Sequence, residues 1–239
     1  MIDCKMECCG VVSLASTFCE CQGTHVSVSL LEQTISLRSR ATCPNGSLLI
    51  RLRGLGSSER FVEGSDWSPV TLPDGLSRGD LEALSFVDAR EDLVLMGDVG
   101  TGKTHMACAL ASLVCLAGRE ARFFTASSLV MRLRRAKGEG RLDRELSAIG
   151  KAEMVVVDEL GYLPLDAEGA RLLFQVISAA YERQSVVFTT NLEFSLWGSV
   201  FGDDQMAAAV IDRVVHHGRL VQFRGESWRV RHALMGGGA

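Results

Sequence analysis

No window of the chain approaches 18 uninterrupted apolar residues, and its opening, MIDCKMECCGVVSLASTFCE, has neither a basic leading region nor a clean apolar core. The first absence excludes a helical membrane span and the second a secretory leader, so a cytoplasmic protein is expected. There is also no C-x-x-C pair. Six of the eight cysteines (Cys4, Cys8, Cys9, Cys19, Cys21 and Cys43) crowd the first 43 residues with only His25 nearby, a poor basis for a zinc site. The eight together, spread over a long chain with a large core, do not read as a disulfide scaffold. Cys108 and Cys115 share one apolar helix and are expected to pack there. Positive charge is not in excess: the net charge is -4 and the pI about 5.8, so any nucleic-acid contact must come from a local basic patch.

The 239 residues, 47% of them hydrophobic, suffice for one good-sized core. Residues 1–60 show only a short alternation at HVSVSL and form an unassigned N-terminal segment. Residues 61–90 carry turn signals at Ser68-Pro69 and Pro73-Asp74-Gly75, then a leading helical stretch, LSRGDLEALSFVDA. Over 91–235 the runs DLVLM, ARFFT, EMVVVD, SVVFTT and RLVQF are separated mostly by apolar-periodic helices. That alternation predicts a five-stranded, mostly parallel sheet covered on both faces, a three-layer α/β/α fold.

Between the first of these strands and the next helix stands GDVGTGKT, which fits the P-loop pattern G-x-x-x-x-G-K-T at Gly97, Gly102, Lys103 and Thr104, with Gly100 between them. Backbone N–H groups of Gly97, Asp98, Val99, Gly100, Thr101 and Gly102 can close around phosphates at the helix N-terminus. Lys103 reaches the β and γ phosphates of ATP, and the Thr104 hydroxyl suits Mg2+. In MVVVDEL, Asp158 at a strand end is placed to hold the magnesium shell, and Glu159 to polarise a water for attack. A strand-helix unit separates the two motifs, which resembles the P-loop branch with an inserted central strand, typical of ATPase motors. The strand SVVFTTN brings Asn191 to the same edge, where it can orient the water or cap the following turn.

These motifs, with VVVDELGYLPLD, VVFTTNLEFSLWGSVFGDDQMAAAVIDRVVHHG and FRGESWR, resemble the IstB-like family of transposition helper ATPases, relatives of the DnaC helicase loaders in the AAA+ superfamily. The resemblance spans about residues 61–234. It implies a sensor role for Asn191, an arginine finger at Arg213 with Arg219 as the nearest competitor, and a second nucleotide sensor at Arg229. A finger is usually supplied by a neighbouring subunit, so a homo-oligomer is expected. Only 16 residues follow the RLVQF strand, so no C-terminal lid domain is expected, in keeping with the family. At the other end, the family's helical N-terminal docking domain is not legible in residues 1–60.

Between the second strand and the DE strand, Arg132, Arg134, Arg135, Lys137, Arg141 and Arg144 face only Glu139 and Asp143 over residues 131–144, a local net of +4. Gly138 and Gly140 are expected to break the segment into two short helices. Such an element suits sequence-independent contact with the DNA backbone, or forms a solvated helix face. Three functions fit: a DNA-stimulated AAA+ ATPase that assembles on DNA and assists a transposase in target selection, a replicative helicase loader, and a small-molecule P-loop kinase.

Overall fold

The structure is a computed structural model; it describes the backbone of residues 17–21 and 24–28, and residues 67, 69–225 and 227. Arg229 and the side chains of the six N-terminal cysteines lie outside the described residues. Strands β1 (Thr17–Cys21) and β2 (Thr24–Val28) pair antiparallel, with Thr17 opposite Val28. Only β2 coincides with an alternation legible in the sequence.

The central sheet has six strands rather than five. Its additional member, β3 (Val70–Thr71), is a two-residue edge strand between Pro69 and Pro73 that pairs antiparallel with the last strand. Two residues carry no periodicity, which hides such a strand in the sequence. The leading helical stretch divides into α1 (Arg78–Glu82) and α2 (Ser85–Asp88). Ser77 and Asp80 close a capping box on α1, and Leu84, at φ 59°, turns the chain between the two helices.

The rest follows the expected alternation: β4 (Asp92–Gly97), α3 (Lys103–Leu116), β5 (Ala121–Thr125), α4 (Ala126–Gly138), α5 (Leu142–Ile149), β6 (Met154–Leu160), α6 (Ala167–Ala180) and β7 (Ser185–Thr190). A 3-10 turn (Phe194–Leu196), α7 (Trp197–Phe201), α8 (Asp204–His216) and β8 (Gly218–Phe223) complete it. The strand order is β3-β8-β4-β7-β6-β5, parallel except for β3. So β7 lies between the P-loop strand β4 and the DE strand β6, as the resemblance to the P-loop branch with an inserted central strand implied. The basic segment does not form two short helices: α4 runs 13 residues through Gly138, and the break falls at Gly140, whose φ is 66°.

β6 explains why its sequence is a solid apolar run. Val155 and Val157 join a core with α4, α6, α7 and α8, while Met154 and Val156 face a second core with α1, α2 and α3. A strand covered on both faces has no solvent side on which to place a polar residue. On α3, Cys115 is buried and Cys108 partly so, both as free thiols. Burial, helped by the nearby Asp158 charge, pushes the Cys108 thiol up to about 12, so it serves as packing.

One buried carboxylate ties the lower rim of the sheet. Asp92 is 7% exposed and accepts the Val186 N–H at 2.7 Å, joining the starts of β4 and β7. Burial pushes its carboxyl up to about 7, against the opposing pull of that N–H and of His217. Because the folded value is raised above the usual 3.8, the stability this group contributes is fully present below pH 4 and is lost as pH rises toward 7. Asp92→Asn keeps an acceptor for Val186 and removes the titration. Its stability relative to wild type should rise by about 4 kcal/mol between pH 4 and 8 in denaturant unfolding; a pH-independent difference contradicts this.

Candidate functional site

A parallel sheet delivers the C-terminal ends of all its parallel strands to one rim, and the expected site residues gather there. The turn after β4 is built on glycines. Gly97, Gly100 and Gly102 have φ of 156°, 83° and 100°, and a side chain on Gly97 would collide with the Phe223 carbonyl of adjacent β8. One on Gly100 would collide with Ser227, which places the segment after β8 against the loop two residues before Arg229. The Thr101 hydroxyl donates to the Asp98 carbonyl at 2.7 Å and braces the turn from inside. Gly102 caps α3, so the first N–H groups of that helix open onto the loop. Lys103 lies along it, its Nζ donating to the carbonyls of Gly97 at 2.7 Å and Asp98 at 2.6 Å. A lysine ammonium held at a glycine-rich turn that opens a helix N-terminus suits a polyphosphate.

The second motif meets the first at hydrogen-bond distance. The Thr104 hydroxyl donates to Asp158 Oδ1 at 3.0 Å across 54 residues of chain. Asp158 is 4% exposed, and the same Oδ1 accepts a short hydrogen bond from the Thr189 hydroxyl of β7. A hydroxyl and a carboxylate oxygen side by side fit a hard divalent cation. β6 does not stop at Asp158, as the sequence suggested, but continues to Leu160 through a register shift. Glu159 sits within that shift at φ 60°, its backbone N–H donating to Thr189 Oγ1 at 2.9 Å and its side chain exposed at the rim.

Asn191 follows the last residue of β7 and is exposed, between the ends of β4 and β6. The cap of the next turn is supplied instead by Thr190, whose Oγ1 accepts the Leu192 N–H at 3.0 Å. Trp197, fully buried, donates to the Leu192 carbonyl and packs against Phe188, Phe194 and Phe201, holding the Asn191 loop onto the core. Sequence reasoning assigned no role to Thr189 or Trp197. The signal for Thr189 was a hydroxyl at an inward position next to a carboxylate-bearing strand; an isolated tryptophan gives no such signal.

The remaining expected residues lie elsewhere. Arg213, on the last turn of α8, donates to the Ala209 carbonyl at 2.7 Å and stacks over Phe174 of α6 at 5.1 Å. Arg219 forms a bidentate pair with Glu91, both contacts at 2.8 Å, which holds the Glu91 carboxyl below its usual range. The basic segment is laced with carboxylates. Arg132 pairs with Glu145, Arg134 with Asp166 and Glu168, Lys137 with Glu168, and Arg135 and Arg141 with Glu139. Glu145, Asp166 and Glu168, from outside residues 131–144, bring the local net charge from +4 to +1.

The fold and this rim define a P-loop ATP-binding protein of the AAA+ type. Among solved structures, the DnaC helicase loader matches with a TM-score of 0.54 at 20% identity, covering 70% of this chain and 99% of that one. AMPPCP-bound DnaA from Aquifex aeolicus gives 0.52 at 15% identity, over 62% of this chain and 45% of that one. The particular family follows from sequence: the chain belongs to the IstB-like ATP binding proteins, which it matches over residues 30–235. That match begins well before residue 61, where the motifs become legible. Relatives include the insertion sequence IS5376 protein of Geobacillus stearothermophilus, 40% identical over 172 residues, 72% of this chain and 68% of the relative. The insertion sequence IS21 protein of Pseudomonas aeruginosa is 38% identical over 180 residues, 74% and 68% of the two chains. Among the described residues, no helix is long and apolar enough to cross a membrane.

Lys103→Ala should weaken ATP binding about 100-fold, the loss of roughly 3 kcal/mol expected for a charge-assisted contact to phosphate. Titration with a fluorescent ATP analogue reads this directly; unchanged affinity contradicts the placement of the phosphates.

Proposed function

We propose that this protein hydrolyses magnesium-ATP, assembles as a homo-oligomer on DNA in the cytoplasm, and assists a transposase in target selection. The observation that carries the hydrolysis is the chain of contacts from Thr104 to Asp158 to Thr189 to Glu159 at the rim of the sheet. Thr104 and Asp158 would hold magnesium, which when bound draws charge from the β and γ phosphates. The backbone N–H groups of residues 97–102 and the Lys103 ammonium hold the phosphates. Glu159 takes the proton of the attacking water, whose oxygen bonds to the γ phosphorus as the bond to ADP breaks, and Asn191 orients that water. Arg229, two residues beyond Ser227, is proposed as a second contact to the nucleotide.

Arg213 is proposed as a finger acting on a neighbouring copy. α8 ends at the rim opposite the P-loop, where the His217 carbonyl accepts the Asp92 N–H at 2.9 Å. Arg213 lies about 6 Å of helix rise from that end, whereas the length of β4 separates the two rims by about 20 Å. A guanidinium so placed serves another subunit's site more readily than its own. Arg219, engaged twice by Glu91, is the weaker candidate. DNA contact is assigned to Arg132, Arg134, Arg135, Lys137 and Arg141, which would exchange carboxylate partners for phosphates. The transposase is proposed as partner because relatives at 38–40% identity are named for insertion sequences. The helicase-loader reading has only the DnaC fold in its favour.

The test mixes two inactive variants. Arg213→Ala should bind ATP and turn it over slowly, and Glu159→Gln should bind without turnover. Mixed, they should recover activity, because some interfaces pair an intact finger with an intact base, and duplex DNA should raise the recovered rate. No recovery, with assembly confirmed by light scattering, contradicts the intersubunit finger; recovery that DNA leaves unchanged removes DNA stimulation from the account.

A further inference from the structure

The Thr189 hydroxyl joins the Asp158 carboxylate to the Glu159 backbone N–H and belongs to neither P-loop nor DE sequence. A threonine hydroxyl has one proton to give and lone pairs to receive. Here the proton goes to Asp158 Oδ1, and a lone pair takes the Glu159 backbone N–H at 2.9 Å. Thr189 is 1% exposed and Asp158 4%, so the bond between them acts where solvent offers no substitute, while the bond to Glu159 is partly buried.

The backbone explains why that lone pair is needed. β6 pairs with β7 in regular register as far as Val157 opposite Phe188 and resumes only at Leu160 opposite Thr190. Within the shift, Glu159 adopts φ 60°, a left-handed conformation that costs a non-glycine residue roughly 1 kcal/mol or more. The Thr189 side chain captures the Glu159 N–H at this irregularity in the ladder. The turn that aims Glu159 outward is thereby fastened to the atom that fixes Asp158.

We propose that Thr189 is a positioning residue for ATP hydrolysis: its hydroxyl clamps the left-handed turn bearing Glu159 to the Asp158 carboxylate, holding base and magnesium-shell residue in one geometry. This rests on the reading of Glu159 as the base and Asp158 as part of the magnesium shell. Thr189 touches no reacting atom and acts through those two residues. Thr189→Val preserves shape and β-branching, leaves the Glu159 N–H without its acceptor, and leaves Asp158 Oδ1 with Thr104 as its remaining hydroxyl donor. Thr189→Ser keeps the hydroxyl.

The experiment compares the full chain as wild type, Thr189→Val, Thr189→Ser and Glu159→Gln. In Thr189→Val, kcat should fall about 10- to 100-fold, the usual effect of losing a group that orients a site residue. KM and affinity for a fluorescent ATP analogue should stay within about threefold of wild type. Amide exchange in the nucleotide-free peptide 154–162 should quicken, since the Glu159 N–H loses its partner. Thr189→Ser should restore most of the rate and the protection. Turnover of Thr189→Val within about twofold of wild type overturns the proposal, as does unchanged exchange. So does a parallel loss of affinity and turnover that serine does not relieve. Glu159→Gln separates the two claims: full turnover in that variant removes the base reading itself, whereas an inactive Glu159→Gln beside an unimpaired Thr189→Val removes only the role of Thr189. A wild type without ATP turnover overturns both.

Discussion

Two hydroxyls on one buried carboxylate oxygen organise the working rim. Asp158 Oδ1 accepts from Thr104, at the start of α3, and from Thr189, on β7, and so joins three elements far apart in sequence. A carboxylate that is 4% exposed demands such partners, because an unsatisfied buried charge costs several kcal/mol. The demand fixes the distance between the P-loop and the DE strand, and through Thr189 it reaches the backbone of Glu159. The parallel sheet makes this possible: it brings the ends of β4, β6 and β7 to one edge, with β7 in the middle.

The two rims of the sheet divide the chemistry. Gly97, Lys103, Asp158, Glu159 and Asn191 occupy one, while Asp92, His217 and the end of α8 with Arg213 occupy the other. The P-loop lies at one end and Arg213, stacked on Phe174, toward the opposite end, so the proposed finger would require head-to-tail contact between copies. The carboxylate partners of the basic segment give α4 a second character. Arg134 and Lys137 tie it to the first turn of α6, so a polyanion that engages them displaces Asp166 and Glu168.

What was legible in the sequence follows from how local each signal is. GDVGTGKT and MVVVDEL announce themselves because glycine, lysine and carboxylate types are fixed by phosphate and metal chemistry at adjacent positions. The inserted strand was implied by resemblance to one branch of P-loop proteins, since β7 itself lies beyond Asp158 in sequence. β3 was not legible, since two residues between prolines have no period, and neither was the division at Leu84, which depends on a single φ. The neutralisation of the basic segment was not legible because three of its five carboxylates are Glu145, Asp166 and Glu168, of which the latter two are near only in space. Thr189 escaped for the same reason: its partners lie 30 and 31 residues away.

The central claim is that the rim around Asp158 binds magnesium-ATP. A crystal structure of the full chain with magnesium and a non-hydrolysable ATP analogue tests it most directly. The account predicts the β and γ phosphates within the 97–104 loop, magnesium on Thr104 Oγ1 beside Asp158, and Glu159 facing the γ phosphate. Phosphates bound away from the loop, or a metal held by other carboxylates, would contradict it.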